Sequence, residues 1–124
     1  MTVAPRCFLF SAILILSMML AGCSDENNQF IQGTWDRSDV HILDYWVFNG
    51  STYLHKSGLH MNNPRVQSGS YYVAESEEGR LVIELIPEQN NLGFSVEPYD
   101  LLITIDTETD TVRIMGKTYT RTIP

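Results

Sequence analysis

The dipeptide Asn49-Gly50 is the feature that most narrows what this chain can fold into. It sits between WVF and STYLHK, two runs in which large and small or polar residues alternate. Asn-Gly is the strongest short hairpin signal, because both residues of such a turn need positive φ. Gly116-Lys117 in MGKT predicts a second two-residue turn with glycine first, as type II′ demands. That turn predicts a register: Met115 faces Thr118, Ile114 faces Tyr119 and Val112 faces Arg121. Val112, Ile114 and Tyr119 then share one face, and turn and alternation agree.

Similar runs recur from Phe30 onward, with no helical period of useful length, which is the all-β signature. Strands are expected at 30–36, 44–49, 51–57, 66–75, 80–87, 100–106, 111–115 and 118–123. Leu81, Ile83 and Leu85 line one face of the fifth, and Leu101, Ile103 and Ile105 one face of the sixth. The connections at 49–50, SEEG and TETD are short. Those at 37–43, 58–65 and 88–99 are long. In an up-and-down meander these two sets lie at opposite ends. The expected fold is therefore an eight-stranded antiparallel up-and-down barrel with one tight end and one mouth. A two-sheet β-sandwich is the alternative.

The chain opens MTVAPRCFLFSAILILSMMLAGC. One cation, Arg6, precedes an apolar run too short for a comfortable bilayer span, the pattern of a secretory leader. Its end, Leu20-Ala21-Gly22-Cys23, resembles the bacterial lipobox. The resemblance implies cleavage before Cys23, which is then acylated on sulfur and on its new amino terminus. More than one acyl chain anchors stably, where a single one binds marginally. Ser24, with no aspartate beside the cysteine, implies sorting to the outer membrane, facing the periplasm. The expected organisation is a leader at 1–22, a lipidated cysteine and tether at 23–29, and a barrel domain at 30–124.

The chain has two cysteines, Cys7 in the leader and Cys23. The remaining domain thus has neither thiol chemistry nor a disulfide, although the compartment permits one. Eight Lys and Arg stand against fifteen Asp and Glu, and Arg6 leaves with the leader. So acidic a surface does not favour phosphate backbones, and nucleic acid is not an expected partner.

QGTWDR carries Gly33-x-Trp35 at the head of the first strand, WVFNGSTY and GSYYV follow, and YTR ends the last strand. Together these resemble small bacterial lipoproteins of the lipocalin-like, calycin type. The resemblance implies that Gly33, Trp35 and Arg121 are fold determinants, with the Arg121 guanidinium over the Trp35 indole at the closed end, a cation–π contact of about 0.5–2 kcal/mol. The chain is shorter than a typical lipocalin and lacks the lipocalin disulfide and C-terminal helix, so a shared fold does not bring a shared ligand habit.

An eight-stranded barrel is either filled by side chains or holds one small ligand. With Trp46 and Phe48 inward, the turn puts Ser51, Tyr53 and His55 inward too, and Trp35, Tyr71 and Tyr119 add rings to a mostly filled lumen. With Tyr45, Val47, Thr52 and Leu54 inward the lumen is less bulky, and both registers stay open. His41, His55 and His60 fall near the mouth, as do Asp36, Asp39 and Asp44. Such a set suits a metal ion, but solvated loop histidines are the preferred reading, so no metal or cofactor is assigned. Ser57 and His60 lack a supporting nucleophile motif, and Glu77 and Glu78 fall in a turn, so no catalytic residue is expected. IDTETD lacks the glycine and terminal glutamate of a calcium loop. In NNLGFSVEPYD, Leu92, Phe94 and Val96 alternate: an extra edge strand, a lid or packing, or an apolar surface for a partner.

Two functions are expected from these residues. One is a lipid-anchored binding protein whose mouth, with His41, Tyr53, His55, His60 and Phe94, takes a small apolar or amphipathic molecule. The other is a structural or interaction lipoprotein with a filled barrel, acting on an envelope protein; inhibition of a basic periplasmic enzyme is a special case.

Overall fold

The computed structural model describes residues 25–59 and 63–122. The expected leader, Cys23 and His60 lie outside them. Among the described residues, one helix, α1 (Glu26–Phe30), precedes eight strands: β1 (Gly33–Asp36), β2 (Ile42–Asn49), β3 (Thr52–Leu59), β4 (Arg65–Glu77), β5 (Arg80–Asn90), β6 (Tyr99–Asp106), β7 (Thr111–Ile114) and β8 (Lys117–Thr122). Each strand pairs antiparallel with the next, and β8 pairs back onto β1, so the sheet is a closed up-and-down barrel and not a sandwich. Closure removes the edges that an open sheet leaves unpaired.

Period-two alternation decides which side chains enter the lumen. On β6, Leu101, Ile103 and Ile105 are buried, while Asp100, Leu102 and Thr104 are exposed. Trp35, Trp46, Phe48, Leu81, Ile83, Leu85, Val112, Ile114 and Tyr119 complete the same interior. Of the two registers for β2 and β3, the bulky one is adopted. Tyr53 is buried opposite Phe48, and Trp46 stacks on Phe48.

Both tight turns sit one residue from their expected places. Asn49 pairs with Thr52, leaving Gly50 (φ 66°) and Ser51 as the turn. Ser51 is thus an exposed turn residue and does not point inward. Ile114 pairs with Lys117, so Met115 (φ 53°) and Gly116 (φ 77°) form the second turn, and Val112 faces Tyr119. Two positive φ values in succession suit a type I′ turn, whose twist matches the flanking strands. Moving a turn by one residue changes each partner by two, which leaves every side chain on its own face. The expected interior survives for that reason.

The first strand is shorter than expected, and residues 26–30 are helical. The Asp25 side chain accepts from the Asn27 backbone N–H at 2.9 Å and caps α1, as its residue type favours. The Asn27 side-chain nitrogen faces Ser76 Oγ (2.9 Å) and the carbonyls of Glu77 (2.6 Å) and Arg80 (3.2 Å). Ser76 Oγ also donates to Asp25 Oδ1 at 2.8 Å. Gln32 accepts from the Gly50 N–H at 2.6 Å and donates to Tyr71 Oη at 2.9 Å. Ile31 is fully buried. Residues 25–32 therefore plug the tight end of the barrel, so residues 25–29 of the expected tether are part of the fold.

Arg121 lies where the Gly33-x-Trp35 pattern put it. Its guanidinium carbon is 4.3 Å from the Trp35 ring centre and 4.9 Å from that of Phe30. It donates to the carbonyls of Gln32 (2.9 Å) and Phe30 (2.7 Å), and its Nε bonds Asp110 at 3.0 Å. On β1 it pairs with Trp35, and on the β7 side Val112 faces Tyr119 and not Arg121 as expected. Gly33, at φ 117°, leads the chain from the plug into β1 in a conformation other residues rarely adopt.

Candidate functional site

The β2–β3, β4–β5 and β6–β7 turns gather at the plugged end and the β1–β2, β3–β4 and β5–β6 connections at the other, as their lengths imply; the short 115–116 turn, also at the open end, is the exception to that pattern. The open half of the lumen is polar. Asp44 is in phase with Trp46 and Phe48 on β2 and is almost fully buried. Its carboxylate accepts from Arg37 Nε at 2.6 Å and Tyr119 Oη at 3.0 Å, and its Oδ1 lies 3.0 Å from His55 Nε2. A carboxylate can stay in a protein interior when its lone pairs are met in this way. Ser38 holds the loop down: its hydroxyl accepts from the Asp44 N–H at 2.9 Å.

His55 packs flat on Trp46, with ring centres 3.8 Å apart. Its pKa is lowered. Burial is the main cause and outweighs the hydrogen bond to Asp44, while Lys117 and Arg37 add repulsion. Burial likewise raises the Tyr119 phenol. The indole Nε1 of Trp46 is buried and has no hydrogen-bond acceptor, whereas that of Trp35 donates to the Ile31 carbonyl at 2.7 Å.

A second polar group lies across the lumen. Gln67 Oε1 accepts from Tyr53 Oη at 2.7 Å and Tyr99 Oη at 2.8 Å. Burial pushes both phenols up, and for Tyr53 the neighbouring Tyr99 and Glu88 add to the effect. At neutral pH both therefore stay protonated donors.

The residues expected to line an open mouth are only partly together. Tyr53 does not line one, because it is buried beneath its bond to Gln67. His55 joins Asp44 in the interior. His41 is exposed in the 37–41 loop, where its backbone N–H donates to Asp39 Oδ1 at 2.8 Å. Phe94 is 65 % exposed. The 91–98 segment forms no extra strand, with Leu92 and Val96 half-buried. It borders a groove of about 530 Å³ lined by 87–90 and 93–96. No inward-facing ring lines that groove, so it is not the lumen.

Among the described residues, no group of three His, Cys, Asp or Glu side chains is placed to hold a metal ion. Asp36 and Asp39 serve their own loop, accepting from the N–H of Ser38 (2.8 Å) and of Ile42 (2.8 Å). Asp106 does the same for the N–H of Glu108 at 3.0 Å. Ser57 is paired with Arg65 in the β3–β4 ladder.

Sequence reasoning missed Arg37, Gln67 and Tyr99 as members of these clusters. It placed Asp44 and Tyr119 correctly without joining them. Phase was the available signal: Asp44 is two residues before Trp46, Gln67 four before Tyr71, and Tyr99 two before Leu101. No known protein family, curated protein or solved structure matches the chain.

Proposed function

We propose that this is a lipid-anchored envelope protein that acts through its outer surface, with a barrel too full to enclose a ligand. The observation that carries this is the interior itself. Trp35, Trp46, Phe48, Tyr53, Tyr71 and Tyr119 all point inward, and none is more than 4 % exposed. An interior crowded by six such covered rings favours a filled core over a pocket of the several hundred Å³ that ligands of ordinary size occupy. The anchor rests on the Leu20-Ala21-Gly22-Cys23 sequence. The surface role is supported by the open rim, where Val40, Leu59, Phe94 and Met115 are exposed large hydrophobic residues, one at or beside each connection. Such residues, when grouped, mark interaction surfaces.

The second reading is a small-molecule cup at the mouth. It draws on the buried Trp46 Nε1, which lacks an acceptor beside the Arg37–Asp44–His55 cluster. Native mass spectrometry of the domain purified from its own envelope separates the two. The mass of the lipidated chain alone, with no further molecule bound, is expected. A stoichiometric small molecule, retained by the wild type and lost on Trp46→Phe, overturns the filled-barrel reading in favour of the cup.

A further inference from the structure

The plug raises a question about geometry: if Cys23 carries lipid, which way does the barrel face? Asp25 is fixed at the closed rim by Ser76, and Asn27 reaches two adjacent carbonyls. Two residue steps from Cys23 to Asp25 span at most about 7 Å. That leaves no length for a domain to swing on. We infer that the barrel stands on the membrane by its closed end, with the β2–β3, β4–β5 and β6–β7 turns against the headgroups and the open rim directed away. This inference rests on the lipid-anchor reading above.

The partner of the closed rim is thus the surface of the anchoring bilayer itself. An eight-residue strand rises about 27 Å, and at a tilt of about 40° it lifts the open rim roughly 20 Å farther from the lipid. Val40, Leu59, Phe94 and Met115 are then held out of reach of that bilayer. Nor do they meet a second copy in the same leaflet, because two barrels standing side by side point their rims the same way. The surface left for them is that of a protein approaching from the aqueous side.

The closed rim carries exposed Glu26, Glu77, Glu78, Asp106, Glu108 and Asp110, with Arg80 bonded to Glu75 and Glu77 and Arg121 to Asp110. Anionic headgroups repel such a face within a Debye length, so uncharged phosphatidylcholine vesicles are the suitable membrane.

The test uses the lipidated chain in those vesicles, doped with a nickel-chelating headgroup lipid. A nitroxide is placed by Glu108→Cys at the closed rim or by Phe94→Cys at the open rim. Collisional relaxation by nickel is expected to be several-fold stronger at 108 than at 94. Inserting fifteen Gly and Ser residues before Asp25 is expected to abolish the difference without altering the fold. Equal relaxation at the two positions in the native-length chain, or stronger relaxation at 94, overturns the inference. A flotation assay with Cys23→Ser tells the two failures apart. If the wild type does not float with vesicles, the anchor reading fails and the orientation falls with it; if it floats and the two positions relax alike, only the orientation is wrong.

Discussion

Replacing Asp44 tests whether the polar cluster is a structural member of the lumen. In Asp44→Ala, the Tyr119 hydroxyl loses its acceptor in a site where that residue is 2 % exposed. Its other charged neighbour, the Arg37 guanidinium, offers only donors. An orphaned buried hydroxyl costs about 1–3 kcal/mol. Arg37 is about a quarter exposed, so water replaces its lost partner and the loss is about 0–1 kcal/mol. His55 forfeits one hydrogen bond, about 1 kcal/mol. The sum is a destabilisation of about 2–5 kcal/mol. Asp44→Asn keeps an oxygen for Tyr119 and an amide that can serve the other His55 tautomer, so about 1 kcal/mol is expected. The assay is equilibrium urea unfolding of residues 25–124 at pH 7, comparing midpoints at constant m-value. If alanine costs no more than asparagine, Tyr119 does not depend on the carboxylate and the reasoning is refuted.

Arg121→Lys keeps the charge but cannot span the Phe30 and Gln32 carbonyls while lying over two rings. It is expected to destabilise by about 2–3 kcal/mol and to speed amide exchange in residues 29–32; unchanged exchange there would mean that α1 docks without it. A Cβ at Gly69 would lie 2.1 Å from the Ile86 carbonyl oxygen, at an irregularity where β4 and β5 slip register. Gly69→Ala is therefore expected to cost at least about 2 kcal/mol in the same urea assay, and a neutral result would refute the close approach. His55 has a folded pKa below its usual 6.5, so between those two values the unfolded chain binds more protons. Stability is then full above about pH 6.5 and falls as pH drops toward the folded value. Thermal melts from pH 7 to 5 are expected to show this slope, and His55→Gln to flatten it.

The barrel was legible because three independent signals agreed: strand alternation, turn residues and the inequality of the loops. Parity protected that reading from its own errors, since the turns at 50–51 and 115–116 each slipped by one residue, which moved Ser51 out of the strand but no strand side chain to the wrong face. The helix was not legible. ENNQF has no apolar period, and five residues do not hold a helix unaided. What holds it is Asn27 meeting Ser76, Glu77 and Arg80, about fifty positions along the chain. The Asp44 cluster escaped for a similar reason. Asp44 and Tyr119 are 75 residues apart, and only closure of the sheet brings them together. Local sequence reports phase along a strand; it does not report which two strands finish the circle.

That circle is finished by the first and last strands, where residues 34–36 pair with 120–122. A chain made or exported amino end first cannot seal its sheet until its final strand has emerged. Contacts of such long sequence separation form late. Up to that moment β1 has one partner in place of two, and the rings of Trp35 and Trp46 lack much of their cover. The topology thus delays its own completion until the whole chain is available.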